Sequence, residues 1–139
     1  MVHKILFIVV LTASFWAQSP PLPCCNSCQT ERRSDDLVCL STNEMRDHVD
    51  HLEPLKPSGL DKGLNLAGIV VVEVRFGATG KVACARAKSG HPIAISAAMR
   101  AVQKWTFKPV ESGGVARGGC GSISIKYRLR DQGSSTKVQ

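Results

Sequence analysis

Aromatic side chains are scarce in this 139-residue chain: one Tyr, two Trp and four Phe, 5% of the residues. Proteins that grip single-stranded nucleic acid stack bases on aromatic rings set among cations. Neither zinc-finger spacing nor a ribonucleoprotein-type strand motif occurs, so no nucleic-acid partner is expected. Acids are scarce in one half only. Residues 64–139 hold 12 Lys/Arg against 3 Asp/Glu, whereas residues 1–63 hold 6 against 8. The basic half has only Glu73, Glu111 and Asp131, and none is spaced to orient a general base. Long apolar runs are missing too. The longest extends from Ile5 to Ala17, short of the ~20 residues that span a bilayer. No internal repeat is present.

What remains is ordinary globular material, 43% hydrophobic and 21% charged, with a formal net charge of +7. The length suits one small domain, and a basic face favours an acidic surface or segment as partner.

"MVHKILFIVVLTASFWA" places His3 and Lys4 before the apolar run. This is the pattern of an export signal over residues 1–17. Cleavage after Ser14 leaves Thr12 three residues before the cut, whereas cleavage after Ala17 leaves the bulky Phe15 there. An uncleaved anchor, associating with the membrane through residues 5–17, is the alternative. Either places the protein in the periplasm or outside the cell, with the anchored form held at the inner membrane. Six cysteines in a small exported chain read first as disulfides.

The chain divides into a Cys-rich linker with a short helix (18–53), a folded domain (54–130) and a disordered tail (131–139). "SPPLPCCNSCQTERRSDD" is irregular. In "STNEMRDHVDHL", Ser41 with Glu44 forms a capping box, and Leu40, Met45, Val49 and Leu52 supply an apolar stripe. "AGIVVVEVRF" reads as a strand, with Val70, Val72, Val74 and Phe76 on one face and Glu73 and Arg75 on the other. "GATGK" turns into a second strand, with Ala83, Ala85 and Ala87 on one side and Val82, Cys84, Arg86 and Lys88 on the other. A helix follows. "ESGGVARGGCG" reads as a glycine-rich loop. "SISIKYRLR" then alternates Ile123, Ile125, Tyr127 and Leu129 against Ser122, Ser124, Lys126, Arg128 and Arg130. The order is strand, strand, helix, strand.

His91 is the one histidine placed where a catalytic group would be conspicuous, and Pro92 decides its role. Proline suits the first helical position, where its missing N–H costs nothing, so His91 falls at the N-cap. Ile95, Ala98, Met99, Val102 and Trp105 then share a face, and Trp105 and Phe107 cover one end of the core. No partner for acid–base work lies near His91, so its role is structural.

About residues 54–130 resemble the TonB C-terminal domain family. The resemblance rests on the G-x-V-x-V-x-V strand from Gly68, the G-x-V turn at Gly80–Val82, the Ser89–Gly90 helix start, the Ala-rich helix, the W-x-F-x-P exit at Trp105–Pro109 and the last alternating strand. It implies an α+β fold: a three-stranded antiparallel sheet (β-β-α-β) with one helix packed on a face. It also implies a non-enzymatic role in energy transduction from the inner membrane to outer-membrane transporters, with no cofactor and no metal. The last strand would be an edge that pairs with an N-terminal segment of the transporter. The residues concerned are Gly121, Ser122, Ile123, Ser124, Ile125, Lys126, Tyr127, Arg128 and Leu129. Edge strands are commonly guarded by charge, and Lys126, Arg128 and Arg130 favour an acidic or neutral partner segment. The spacer is short, residues 18–40, reaching at most ~80 Å. A secreted or periplasmic adaptor binding another envelope protein is therefore the alternative.

A thiol- or metal-dependent protein built on the N-terminal cysteines is the reading from another class. Cys25 and Cys28 form a C-x-x-C, but no strand precedes it and no helix follows, as a redox motif requires. Cys25, Cys28 and Cys39 with His48 or His51 match no common zinc spacing. Cys24, Cys25, Cys28, Cys39, Cys84 and Cys120 are thus all disulfide candidates. Cys84 with Cys120 is the favoured pair, provided the glycines beside Cys120 let it bend off the sheet.

Overall fold

The computed structural model describes residues 37–58, 65–130 and 133–139. Along the chain lie β1 (Leu37–Cys39), α1 (Thr42–Asp47), β2 (Val49–His51), β3 (Leu66–Phe76), β4 (Val82–Ser89), α2 (Pro92–Val102), β5 (Thr106–Phe107), β6 (Val110–Ser112), β7 (Val115–Arg130) and β8 (Gly133–Val138). The fold is α+β with a mixed sheet and two helices.

Two long strands form its centre. β3 and β7 run antiparallel in unbroken register from Leu66↔Leu129 to Phe76↔Gly119. Period-2 alternation sends Val70, Val72, Val74 and Phe76 of β3 inward with Ile123, Ile125, Tyr127 and Leu129 of β7, all buried. β4 flanks β3 on its far side, and β1 pairs with β7 in parallel. With β6 and β8, both also on β7, the sheet has six strands; β2 and β5 form a separate pair. The three-stranded sheet is therefore a correct core inside a larger sheet, and the additional strands all gather on β7 or at the sheet's end.

The β3–β4 hairpin carries a bulge that sequence alternation does not reveal. Arg75 pairs with Cys84, but Phe76 pairs with Val82, skipping Ala83. One extra residue flips side chains to the opposite face. Val82 therefore packs against the core with Ala85, while Ala83 is exposed.

α2 lies on the inner face. Ala94, Ala97, Ala98, Ala101 and Val102 are buried, while Ile95 and Met99 are only partly so. The buried stripe is rotated from the expected one because alanines bring the helix axis close to the sheet, leaving the longer side chains to border the contact. His91 is the N-cap, as expected: its Nδ1 accepts from the Ile93 N–H at 3.3 Å. His91→Asn preserves such an acceptor, so its melting temperature is expected within a few degrees of wild type. His91→Ala is expected to lose ~0.5–2 kcal/mol. Thermal melts of the two variants check this, and an Asn variant as damaged as Ala would refute the cap role.

α1 is shorter than the apolar stripe suggested. Its capping box forms: the Ser41 N–H donates to Glu44 Oε2 at 2.7 Å, and the Glu44 N–H to Ser41 Oγ at 3.4 Å. The bond from the Ser41 backbone, more than that from its side chain, holds the Glu44 carboxyl below its ordinary pKa. After Asp47 the chain turns extended, because the Lys108 N–H donates to the His48 carbonyl at 2.7 Å and Val49 pairs with Phe107. Met45 and Leu40 still reach the core. Residues 37–53 thus pack as part of the domain rather than as a linker to it. Residues 18–36 and 1–17 lie outside the described residues.

Two further expectations are corrected. The glycine-rich "loop" is a tight β6–β7 hairpin turning at Gly113 and Gly114, with φ of +62° and +76°. Gly118, Gly119 and Gly121 lie inside β7, where a Cβ would collide with Phe76, Leu37, Leu40 or Met45. The C-terminal stretch read as a disordered tail contains β8, hydrogen-bonded along β7.

Candidate functional site

Partner binding by strand addition needs an accessible ladder, so the outer edge of β7 is the first place to look. That edge is covered in two pieces, β1 against Gly118–Cys120 and β8 against Ile125–Arg130; β6 pairs with Val115–Arg117, beyond the end of the β3 ladder. Between them lies the short run Gly121–Ser124, bracketed by the Leu40 N–H on the Cys120 carbonyl and the Gln139 N–H on the Ser124 carbonyl, both 2.8 Å. The nine residues Gly121–Leu129 therefore do not form one open edge. Their C-terminal half lies beneath the chain's own last strand.

The cations are placed as expected. Lys126, Arg128 and Arg130 are exposed, and none forms an ion pair with a carboxylate among the described residues. Across the ladder they face Lys137, Ser135 and Gly133 of β8. On the other side Lys126 faces Ile69, which is 49% exposed. On the inner face, Ile125, Tyr127 and Leu129 lie opposite Val138, Thr136 and Ser134. Burial raises the pKa of the Tyr127 phenol. The Leu55 N–H donates to Thr136 Oγ1 at 3.1 Å, tying the loop after β2 to the tail. Sequence reading missed β8 because "GSSTKV" has no apolar alternation; its only signal is a run of small and β-branched residues.

A second edge is available at β4. Among the described residues no strand pairs with its outer side, and Arg86 and Lys88 are exposed there.

The sheet face opposite α2 holds a buried acid. Glu73 is 1% exposed, and neither carboxylate oxygen has a hydrogen-bond partner among the described residues. The Lys88 Nζ stands 3.7 Å from its Oε2. The cysteines share this face. Cys84 and Cys120 stand on opposite sides of Arg75 in register, so two strand spacings, ~9.6 Å, separate them. A disulfide needs Cα atoms within ~7 Å, and the expected Cys84–Cys120 bond does not form. The glycines beside Cys120 do not bend it off the sheet, because they are locked into the β3–β7 ladder. Cys39 and Cys84 are each disulfide-bonded. Cys39 is the register partner of Cys120, with its Sγ 3.1 Å from the Cys120 Sγ. Cys24, Cys25 and Cys28 lie outside the described residues. Among those described, no three His, Cys, Asp or Glu side chains gather to hold a metal, and His48 Nδ1 is engaged by the Lys108 carbonyl at 2.9 Å.

A cleft of about 620 Å³ opens at the end of the sheet, lined by Arg75, Arg117, Leu37, Phe76 and Val115 among others. The Arg117 Nε is buried without a hydrogen-bond partner among the described residues.

The strand–strand–helix–strand unit, with short segments closing the edge of its last strand, defines a small α+β domain with one helix across a sheet. Its family follows from the same stretch of chain. Residues 62–129 match the family model described as Gram-negative bacterial TonB protein C-terminal, and the chain carries a domain of that family. No curated protein and no solved structure matches it. The family is one of envelope-associated, non-enzymatic interaction domains, linked to energy coupling in transport and generally engaging outer-membrane proteins. Among the described residues no helix is long and apolar enough to cross a membrane.

Proposed function

We propose that the protein binds an extended segment of an outer-membrane transporter along the outer edge of β7, and that it does so in the service of energy-coupled transport. The observation that carries this reading is the edge itself. Two separate pieces of extended chain, β1 and β8, already dock on that edge by main-chain pairing, next to Lys126, Arg128 and Arg130, which have no ion-pair partner among the described residues. Main-chain bonds would supply the affinity, and the cations the preference for Asp or Glu. The N-terminal segment would direct the chain to the periplasm, or anchor it at the inner membrane through residues 5–17.

The test is an amide-shift titration of the chain with N-terminal peptides from candidate transporters. Shifts are expected to concentrate in residues 121–130 and to weaken with salt, because exposed charges are screened. Tight binding that leaves those amides untouched would overturn the mechanism. A second reading, an adaptor for another envelope protein, is favoured by the outer edge of β4, on which no strand pairs among the described residues. It predicts shifts in residues 82–89 instead.

A further inference from the structure

The first residues of β7 border the cleft at the sheet's end, far along the strand from Lys126 and Arg128. Its volume, about 620 Å³, falls within the ~300–1,000 Å³ usual for small-molecule sites. Leu37 of β1, Ala78 and Ala83 of the β3–β4 hairpin and Val115 of β7 all line it. Val115 is 58% exposed; it and Ile69 are the exposed large apolar side chains among the described residues. Arg117 adds a charged group. Its side chain forms no ion pair, and its Nε is buried without a hydrogen-bond partner, among the described residues. Register explains why. Arg117 pairs with Val110, whereas Glu111, the one acid of β6, pairs with Ala116. Strand alternation puts Glu111 on the other face of the hairpin. A buried donor left unpaired is costly, and more so when it belongs to a charged group. An acceptor entering the cleft would remove that cost.

We propose that this cleft is a binding site for a small aliphatic carboxylate, its head on Arg117 and its chain on Leu37, Ala78, Ala83 and Val115. A guanidinium is a planar fork that matches a carboxylate through two parallel N–H···O bonds. The aliphatic chain covers apolar surface that Val115 otherwise presents to solvent. Leu37 belongs to β1, which pairs with Gly118–Cys120, so an occupied cleft also steadies that strand. The site lies at the opposite end of β7 from Ile125–Leu129. It therefore stands or falls separately from strand addition.

Amide-shift titrations of the full chain, disulfides intact, test this with sodium octanoate and decanoate, each kept below its micelle-forming concentration. Shifts are expected at Gly77, Ala78, Ala83 and Val115–Gly118, with dissociation constants of about millimolar order for ligands this small. Decanoate should bind up to about fifteenfold more tightly than octanoate, at roughly fourfold per buried methylene. Octyl glucoside has the chain without the charge, and acetate has the charge without the chain. Each should bind at least about tenfold more weakly than octanoate. Acetate or octyl glucoside matching octanoate would overturn the proposal.

Variants separate the cleft from general attraction to a basic chain. Arg117→Met should weaken decanoate binding about tenfold, and Arg117→Lys, which keeps the charge but loses the fork, should fall between. Val115→Ser changes an exposed side chain and should weaken decanoate severalfold with the melting temperature unchanged. Lys104→Met removes an exposed cation elsewhere and should leave binding as it was. Arg117→Met binding as well as wild type, or Lys104→Met losing as much as Arg117→Met, would refute the site. Should Arg117→Met fail to fold, Val115→Ser decides: undiminished decanoate binding in that variant would equally defeat the proposal.

Discussion

Trp105→Ala is expected to destabilise the domain by ~3–5 kcal/mol, the usual cost of emptying a buried tryptophan site. Domains of this size have ~5–15 kcal/mol in total, so a large part of the stability is at stake. Trp105 is 1% exposed and lies just after α2, where the chain turns from helix to β5. Its indole N–H donates to the Glu53 carbonyl at 2.8 Å. The ring therefore does two things: it fills the core under the helix, and it holds the loop that follows β2. That loop carries Leu55, fully buried, whose N–H donates to Thr136 on β8. Truncation should accordingly be felt at the tail as well as in the core. The expected result is a melting temperature lower by at least ~12 °C, with tail amides exchanging faster than the stability loss alone explains. Trp105→Phe keeps most of the buried area but strands the Glu53 carbonyl, and should fall between the two. A Trp105→Ala chain melting within two or three degrees of wild type would mean the ring is not the anchor described here.

The sequence states the central unit plainly. Alternating apolar residues in β3 and β7 can bury only one face, so their register follows from which residues must be inside. Pro92 leaves His91 no place but the N-cap, and Ser41 with Glu44 announces the start of α1 even though tertiary pairing ends that helix early. What the sequence hides is of three physical kinds. Short strands such as β1 and β8 gain their structure from the ladder they join, so "LVC" and "GSSTKV" carry no periodicity of their own. Glycines inside β7 look like loop residues until the crowding by Phe76, Leu40 and Met45 is seen. The bulge at Ala83 moves one residue and thereby re-faces its neighbours, which no alternation count detects. The candidate site suffers most from the first kind. The cations of β7 are legible, but the strand lying beside them is not. The error over Cys84 and Cys120 has the same origin: both face outward as expected, and only the position of β3 between them decides that they cannot join.

The β3–β4 turn offers a matched pair of glycines with opposite expected outcomes. Gly80 has φ of +78°, in the left-handed region that costs a non-glycine residue ~1–3 kcal/mol when enforced by its surroundings. The surroundings do enforce it. The Gly80 N–H donates to the Gly77 carbonyl at 2.9 Å, and its own carbonyl accepts from the Phe107 N–H at 2.8 Å. A Cβ at Gly80 would run into the Phe107 carbonyl oxygen. That contact is with backbone, so relief requires moving β5, and Phe107 is stacked on Phe76 with ring centroids 4.7 Å apart. Such a stack contributes about 0.5–1.5 kcal/mol beyond burial. Gly80→Ala should therefore cost roughly 2–4 kcal/mol and loosen the β2–β5 pair, since Phe107 is the partner of Val49. Three residues earlier, Gly77 has no positive φ and open space where a Cβ would go. Gly77→Ala is expected to be neutral, or to stabilise by ~0.4–1 kcal/mol through the unfolded chain. Denaturant midpoints of the two variants, at equal m-values, make the comparison. Similar midpoints would show that the turn does not hold β5 in the way the Gly80–Phe107 contact requires.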